Sequence, residues 1–259
     1  MEERKQKEIE YYDEHAKRLL ENPGNAPAAD FEGFDPSRLA SYRFLYGLLR
    51  GKCFGRKVLD YGCGNGNHAI YLARDGGEVT AIDLSGKSIA IAEKKAEKNG
   101  VGGNIAFMAM DCEKTDFSDN SFDIIFDGGT FSSLDADKAY PELARILKPD
   151  GFLVGIETYG HNPLANLNRA LNVRSGKRTA WAAAHIFNEA GLAQAGNYFG
   201  HIEIYYFHLF SWMAFPLIGS TWGSRLLDFA EIIDKAVIKL PFLKRYAFKV
   251  VFKFSDPKK

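Results

Sequence analysis

Cysteine is scarce in this chain, with three residues among 259: Cys53, Cys63 and Cys112. Their number is odd and their spacing is not that of a metal site. That argues against a disulfide framework or a zinc module, so no metal is expected and a reduced, cytoplasmic protein fits. A surplus of either charge is also missing, since 33 Lys and Arg balance 33 Asp and Glu. Bulk attraction to nucleic acid is not encoded, and no nucleic-acid partner is expected. The opening residues, MEERKQKE, lack the apolar centre of a secretion signal. The longest greasy run, 207–219, has 13 residues and is too short for an ordinary membrane span. No internal repeat, low-complexity tract, zinc ligand set or nucleophilic triad stands out.

What is present is a strand–helix rhythm. An N-terminal amphipathic helix is expected over 1–20, where Ile9, Tyr12, Ala16 and Leu19 recur at helical spacing. A Pro- and Gly-containing loop follows over 22–35, then a helix over 37–49. Short apolar strands read at 58–60, 79–82, 105–110, 122–126 and 152–156. Helices read at 67–74, 87–99 and 140–147, the last with Pro141 in its first turn. Such alternation predicts a parallel sheet covered on both faces. Beyond it, a helix is expected over 182–189 with Gly191 behind it, a strand region over 192–207 with a bulge at Gly200, and a strand over 246–254. Phe248, Val250, Phe252 and Phe254 share one face of that last strand.

The densest motif is Asp60-Tyr61-Gly62-Cys63-Gly64-Asn65-Gly66. A buried strand ends in an acid and turns on glycines, and a helix starts at Asn67 with unpaired amides at its tip. The dinucleotide fingerprint G-x-G-x-x-G would require glycine at 67, where Asn67 stands. An acid before the glycines repels a pyrophosphate and suits an ammonium group. Asp83 ends the second strand about 20 residues on, where an acid accepts bonds from ribose hydroxyls. Asp111 ends the third strand, placed for an adenine amine, and Asp127 ends the fourth before Gly128, Gly129 and Thr130. A nucleoside carrying an amino acid suits these acids better than a dinucleotide does.

From residue 57 to 156 the sequence resembles the class I S-adenosylmethionine-dependent methyltransferases, as a type 11-like small-molecule enzyme. The resemblance rests on the glycine motif, on Val79-Thr80-Ala81-Ile82-Asp83-Leu84-Ser85, on Ser121-Phe122-Asp123-Ile124-Ile125-Phe126, and on the stretch from Glu142 through Pro149-Asp150-Gly151 to Leu153. Asp150 stands where the family usually has a second glycine. The resemblance implies a Rossmann-like α/β fold with a seven-stranded, mostly parallel sheet, one antiparallel strand and helices on both faces. It implies S-adenosyl-L-methionine as cofactor, S-adenosyl-L-homocysteine as product, and a cofactor site made from Tyr12, Asp60, Gly62, Cys63, Gly64, Asn65, Asp83, Leu84, Asp111, Cys112 and Asp127.

The acceptor side is read from the stretch after the fifth strand. His161 is a candidate base because its pKa lies near neutrality, with Glu157 to orient it. Thr130, Arg169, Arg174 and Arg178 are candidate acceptor contacts, and the arginines suit an anionic group. A small, anionic or partly apolar acceptor is expected, with oxygen ahead of nitrogen as the methylated atom. The chain divides into an N-terminal helical cap (1–50), a cofactor-binding core (51–206), a helical insertion (207–243) and a final strand with its tail (244–259). Within the insertion, Leu226, Phe229, Ala230, Ile233, Val237 and Leu240 form an apolar helical stripe, with Asp228, Glu231 and Lys235 opposite. That stripe can pack on the core, face a homodimer partner, close over the acceptor or rest on a membrane. Asp228, Glu231 and Asp234 argue against anionic lipid. The competing classes are a nicotinamide-dependent oxidoreductase, a nucleic-acid methyltransferase and a non-catalytic cofactor-binding module. The glycine register disfavours the first. Asp127-Gly128-Gly129-Thr130 is not the Asn/Asp-Pro-Pro-Tyr signature of the second.

Overall fold

The computed structural model describes residues 2–21, 38–175 and 178–259. The loop expected over 22–35, Lys177, and the side chains of His15 and Leu19 lie outside the described residues. The elements in chain order are α1 (Glu3–Glu21), α2 (Ala40–Leu49), β1 (Lys57–Tyr61), α3 (Asn67–Arg74), β2 (Glu78–Asp83), α4 (Gly86–Lys98), β3 (Ile105–Ala109), β4 (Phe122–Asp127), α5 (Ala136–Ile146), β5 (Leu147–Thr158), α6 (Pro163–Arg174), α7 (Ala180–Ala184), α8 (Glu189–Ala195), β6 (Phe199–Phe207), α9 (Thr221–Val237) and β7 (Lys249–Pro257).

The strands form one seven-stranded sheet in the order β3-β2-β1-β4-β5-β7-β6. β1 to β5 run parallel, while β7 pairs antiparallel with both β5 and β6. The order reverses at β1, so the crevice beyond the ends of β1 and β4 is the place where such sheets bind ligands. Successive residues point to opposite faces. Val58, Ile124 and Val251 enter one core with Tyr42, Leu45 and Leu49 of α2. Their neighbours Leu59, Ile125 and Phe252 enter the other with Tyr140 and Leu143 of α5. Burial on both faces explains why these strands read as unbroken apolar runs.

Side-chain caps set most helix starts. Ser85 accepts from Ser88 N, Asp135 from Asp137 N, Asn162 from Ala165 N, Thr179 from Ala182 N and Ser220 from Gly223 N. These caps account for two departures from the sequence reading. α5 starts at Ala136 rather than Tyr140, so Pro141 lies inside the helix. The amide it lacks would have met the carbonyl of Asp137 in the first turn, and burial of Ala139, Tyr140 and Leu143 outweighs that one bond. Residues 182–189 are not one helix. α7 ends at Ala184, and Asn188 caps a new helix, α8, that contains Gly191 and takes in 192–195.

β6 therefore begins at Phe199, and its register with β7 runs unbroken from Phe199↔Pro257 to His201↔Ser255, without a bulge. Gly200 instead makes room for Asp256, whose Oδ2 would lie 2.1 Å from a Cβ placed there. β7 starts at Lys249, because Lys244–Tyr246 form a 3-10 turn. Val250, Phe252 and Phe254 do share the face facing α5.

α9 is the helix expected in the insertion, and the fold decides which of its faces turns inward. Its buried positions are Gly223, Leu227, Glu231 and Asp234, while Leu226, Phe229 and Ile233 of the apolar stripe are exposed, so of the roles open to that stripe, packing on the core is not the one adopted at these positions. Phe252, by contrast, is fully buried among Phe131, Phe187 and Phe254. Phe252→Ala should lower the unfolding free energy by about 3–5 kcal/mol, read from urea denaturation.

Candidate functional site

β1 ends at Tyr61 and the chain turns at Gly62, whose φ is 76°. A Cβ at Gly62 would lie 2.3 Å from Thr130 Oγ1, so only glycine lets the turn approach the β4 loop this closely. That hydroxyl donates to the carbonyl of Tyr61 at 3.1 Å. Gly64, with φ 50°, faces open space, since a Cβ there would meet no atom within 4 Å. Its amide donates to Asp83 Oδ2 at 2.9 Å, and the amide of Ser85 donates to Asp83 Oδ1 at 2.9 Å. Asp83 thus joins the turn after β1 to the start of α4. α3 begins at Gly66 without a side-chain cap, which leaves its tip open to a ligand.

A cavity of about 320 Å³ lies over these strand ends. Gly62, Cys63, Gly64 and Asn65 form its floor, with Asp83, Leu84, Asp111 and Cys112 on one side and Gly128, Gly129 and Thr130 on the other. α1 closes it through Arg4, Lys5, Glu8, Ile9, Tyr12 and Ala16. The helix is held by charge. Arg4 donates to Glu113 Oε1 at 2.5 Å and to the carbonyl of Ser133 at 2.8 Å, and Lys5 donates to Asp111 Oδ2 at 2.6 Å. Asp13 pairs with Ser85 Oγ at 2.6 Å and with Lys87 at 3.1 Å. The Tyr12 hydroxyl lies 3.3 Å from Ser133 Oγ.

Two buried carboxylates here lack well-aligned partners. Glu8 is 5% exposed on the cavity wall, and Asp60 is fully buried beneath the turn; none of their four carboxylate oxygens has a hydrogen bond. Burial pushes the Asp60 pKa up to about 8; the amide of Ala69 gives partial relief, and the Asp83 charge raises it further. Burial also raises Asp83 above the usual carboxylate range, against the lowering effect of its two amide bonds. An unpaired buried carboxylate is costly, and a cation brought beside it removes that cost.

Of the residues singled out from sequence, Tyr12, Gly62, Cys63, Gly64, Asn65, Asp83, Leu84, Asp111, Cys112 and Thr130 line the cavity. Asp60 and Asp127 lie behind its wall. Asp127 accepts the amides of Thr130 at 2.9 Å and Gly129 at 3.3 Å. Behind that same loop sits a second charged group. Glu157 accepts Phe131 N at 2.7 Å, and burial pushes its pKa to about 7. Lys249 is pushed down to about 8, chiefly by burial, with the Glu157 charge opposing the shift. Arg169 is pushed down to about 10 by burial and by Arg178, and it donates to the carbonyl of Tyr159 at 3.1 Å. Arg178 donates to Ser132 Oγ at 3.2 Å. Arg174 is exposed at the end of α6. His161 is not on the cavity wall. Its ring packs edge-on against Tyr159 at 5.3 Å, and its buried Nε2 has no partner.

Sequence reasoning missed Arg4, Lys5, Glu8, His68 and Lys249. Lys5, Glu8 and Tyr12 fall on one face of α1 with Ile9 and Ala16, and charges inside an apolar stripe were the available signal. His68 lies in the first turn of α3. Its Nδ1 is 3.0 Å from the Tyr46 hydroxyl, and burial lowers its pKa to about 4.

Sheet order, antiparallel β7 and an acid-flanked glycine turn define a Rossmann-like α/β protein with a ligand crevice at its strand ends. Residues 58–151 match the family model of a methyltransferase domain. Over that span the chain is similar to the class I S-adenosylmethionine-dependent methyltransferases. A Haemophilus influenzae protein of uncharacterized function is 30% identical over 58% of this chain and 63% of its own length. The ubiquinone/menaquinone biosynthesis C-methyltransferase UbiE of Haemophilus ducreyi is 33% identical over 40% of this chain and 41% of its own. The chain thus spans less than two thirds of these relatives. The fold is shared with a Haemonchus contortus phosphoethanolamine N-methyltransferase solved with phosphomonomethylethanolamine and S-adenosylhomocysteine. That match has a TM-score of 0.63 and 20% identity, and covers 93% of this chain and 59% of that one.

Asp83→Ala should weaken S-adenosylhomocysteine binding by about 1–3 kcal/mol in calorimetric titration, through lost charged hydrogen bonds. Glu8→Gln should weaken it in the same direction without loss of fold. Stability should also respond to pH. Folded Asp60 keeps its proton up to about 8, whereas the unfolded chain releases it near 3.9. Stability therefore falls as pH rises through that window. Melting temperatures of Asp60→Asn across the same range should lose part of this slope.

Proposed function

We propose that this protein transfers a methyl group from S-adenosylmethionine to a small acceptor bearing an anionic group, with oxygen favoured over nitrogen as the atom methylated. The cofactor carries an ammonium, a positively charged sulfur with an electrophilic methyl carbon, a ribose and an adenine. The residues present fit that group. Glu8 offers an unpaired carboxyl group to a cation, and Asp60 lies beneath the turn, where a nearby cation would favour its ionised form. Asp83 retains lone pairs for ribose hydroxyls after accepting two amides, and Gly64 leaves the space for close approach. α1 lies across the cavity and shields it from water.

The observation that carries the acceptor class is the group behind the Gly128–Thr130 wall. Lys249, Arg169 and Arg178 supply three cations, while burial pushes both Asp127 and Glu157 toward their neutral forms. The balance is positive, which favours an acceptor that arrives with a negative charge. His68 stays neutral near pH 7, with its Nδ1 within hydrogen-bond distance of the Tyr46 hydroxyl. So weak a base suits an oxygen that ionises readily, such as a carboxylic acid, a phenol or an enol. Orientation toward the methyl carbon and exclusion of water supply the remainder of the rate.

A panel of carboxylates, phenols and enols, with product mass and methyl-position analysis, tests this reading. Methylation confined to amines would overturn the oxygen preference, and methylation at carbon would move this site toward the chemistry named for UbiE. Lys249→Met should raise KM for an anionic acceptor about tenfold or more, while S-adenosylhomocysteine affinity stays near the parent value.

A further inference from the structure

The insertion between β6 and β7 buries its acids and exposes its apolar face. Glu231 and Asp234 of α9 are each 5% exposed. Glu231 accepts the amide of Ala40 at 2.7 Å and pairs with Arg43. Asp234 accepts the amides of Phe210 at 2.8 Å and Ser211 at 3.2 Å. These bonds fix the rotation of the helix, because turning it over would strand both carboxylates. The opposite line, Trp222, Leu226, Phe229 and Ile233, recurs at i, i+4, i+7 and i+11 and faces outward. Trp222 is 80% exposed and Phe229 is 62% exposed.

Charge follows the same division. With Glu231 and Asp234 turned inward, the only exposed acid among residues 211–247 is Asp228, against five exposed bases: Arg225, Lys235, Lys239, Lys244 and Arg245. None of the five has an ion pair among the described residues. The chain as a whole is balanced, so this surplus is local. The expectation that acids on this helix oppose anionic lipid therefore fails for two of the three acids.

We propose that residues 211–247 form a docking surface for an anionic lipid bilayer, with α9 lying in the interface. An outward Trp–Leu–Phe–Ile line with Arg225 beside it, on a segment whose exposed charge is mostly basic, is the arrangement that inserts below the headgroups while its bases meet anionic lipid. A second copy of this chain fits less well. It would bring the same five bases and the same lone acid, so two-fold pairing of this face gathers like charge. No described helix is long and apolar enough to cross a membrane, so the contact is peripheral. α6 adds an adjoining exposed row, Leu164, Leu167 and Leu171, and its capping Asn162 donates to the carbonyl of Tyr246 at 3.0 Å.

Co-sedimentation of the full chain with vesicles tests the proposal, and it needs neither cofactor nor acceptor, so it stands apart from the methyl-transfer reading. Vesicles of phosphatidylcholine mixed with phosphatidylglycerol should retain the protein, and vesicles of phosphatidylcholine alone should retain much less. Added salt should release it. Trp222→Asp and Phe229→Asp should abolish retention with an unchanged melting temperature, since both side chains are exposed. Arg225→Gln should weaken binding to anionic vesicles about fivefold. Failure of the folded parent to bind either vesicle would overturn the proposal. So would a concentration-dependent dimer, seen in analytical sedimentation, that Phe229→Asp dissolves while vesicles are ignored.

Discussion

Two backbone amides end on one carboxylate. Gly64 and Ser85 both donate to Asp83, so the turn after β1 and the start of α4 share a single anchor. Thr130 adds the third side by binding the carbonyls of Tyr61 and Gly62 from the β4 loop. The crevice floor is therefore fixed by hydrogen bonds rather than by apolar packing. Its shape depends on Gly62 and Gly66, where a Cβ would lie 2.3 Å from Thr130 Oγ1 and 2.7 Å from Ala92 Cβ. A parallel sheet whose order reverses at β1 provides the opening, and this small network gives the opening a defined surface.

Around that floor the protein concentrates charge where water is excluded. Asp60, Asp127 and Glu157 are all buried at strand ends, and burial holds each of them above its ordinary pKa. Charges so placed are poor sources of stability and good sources of binding preference. Near the β1 end the unpaired groups are acidic and favour a cation. Behind the β4 loop the basic residues prevail and favour an anion. The two polarities meet across Gly128–Thr130, an arrangement consistent with the proposed pairing of a positively charged donor and a negatively charged acceptor.

α1 and α9 serve opposite ends of the same logic. α1 turns charged residues inward, where Arg4 and Lys5 bind Glu113 and Asp111 and close the cavity. α9 turns its acids inward to bind α2 and the turn before it, and so leaves its aromatic line outside. In α9 specific charged hydrogen bonds override what the apolar periodicity alone favours, whereas α1 turns Ile9, Tyr12 and Ala16 inward as its periodicity predicts. The cost of an unsatisfied buried carboxylate exceeds the gain from burying one more aromatic ring.

The sequence by itself determined the order of strands and helices through β5, the glycine turn, and ten of the residues that line the cavity. Those features are local: an apolar run, a positive-φ turn and an acid at a strand end are all written within a few neighbouring positions. Tertiary structure decided the remainder. It placed α1 over the cavity, moved His161 off its wall and brought in His68, and gathered Lys249 from the last strand beside Glu157 of the fifth. It also set the rotation of α9, because Ala40, Arg43, Phe210 and Ser211 are remote in sequence from the acids they hold. Periodicity shows that a helix has two faces; which one turns inward depends on the partners the fold brings to it.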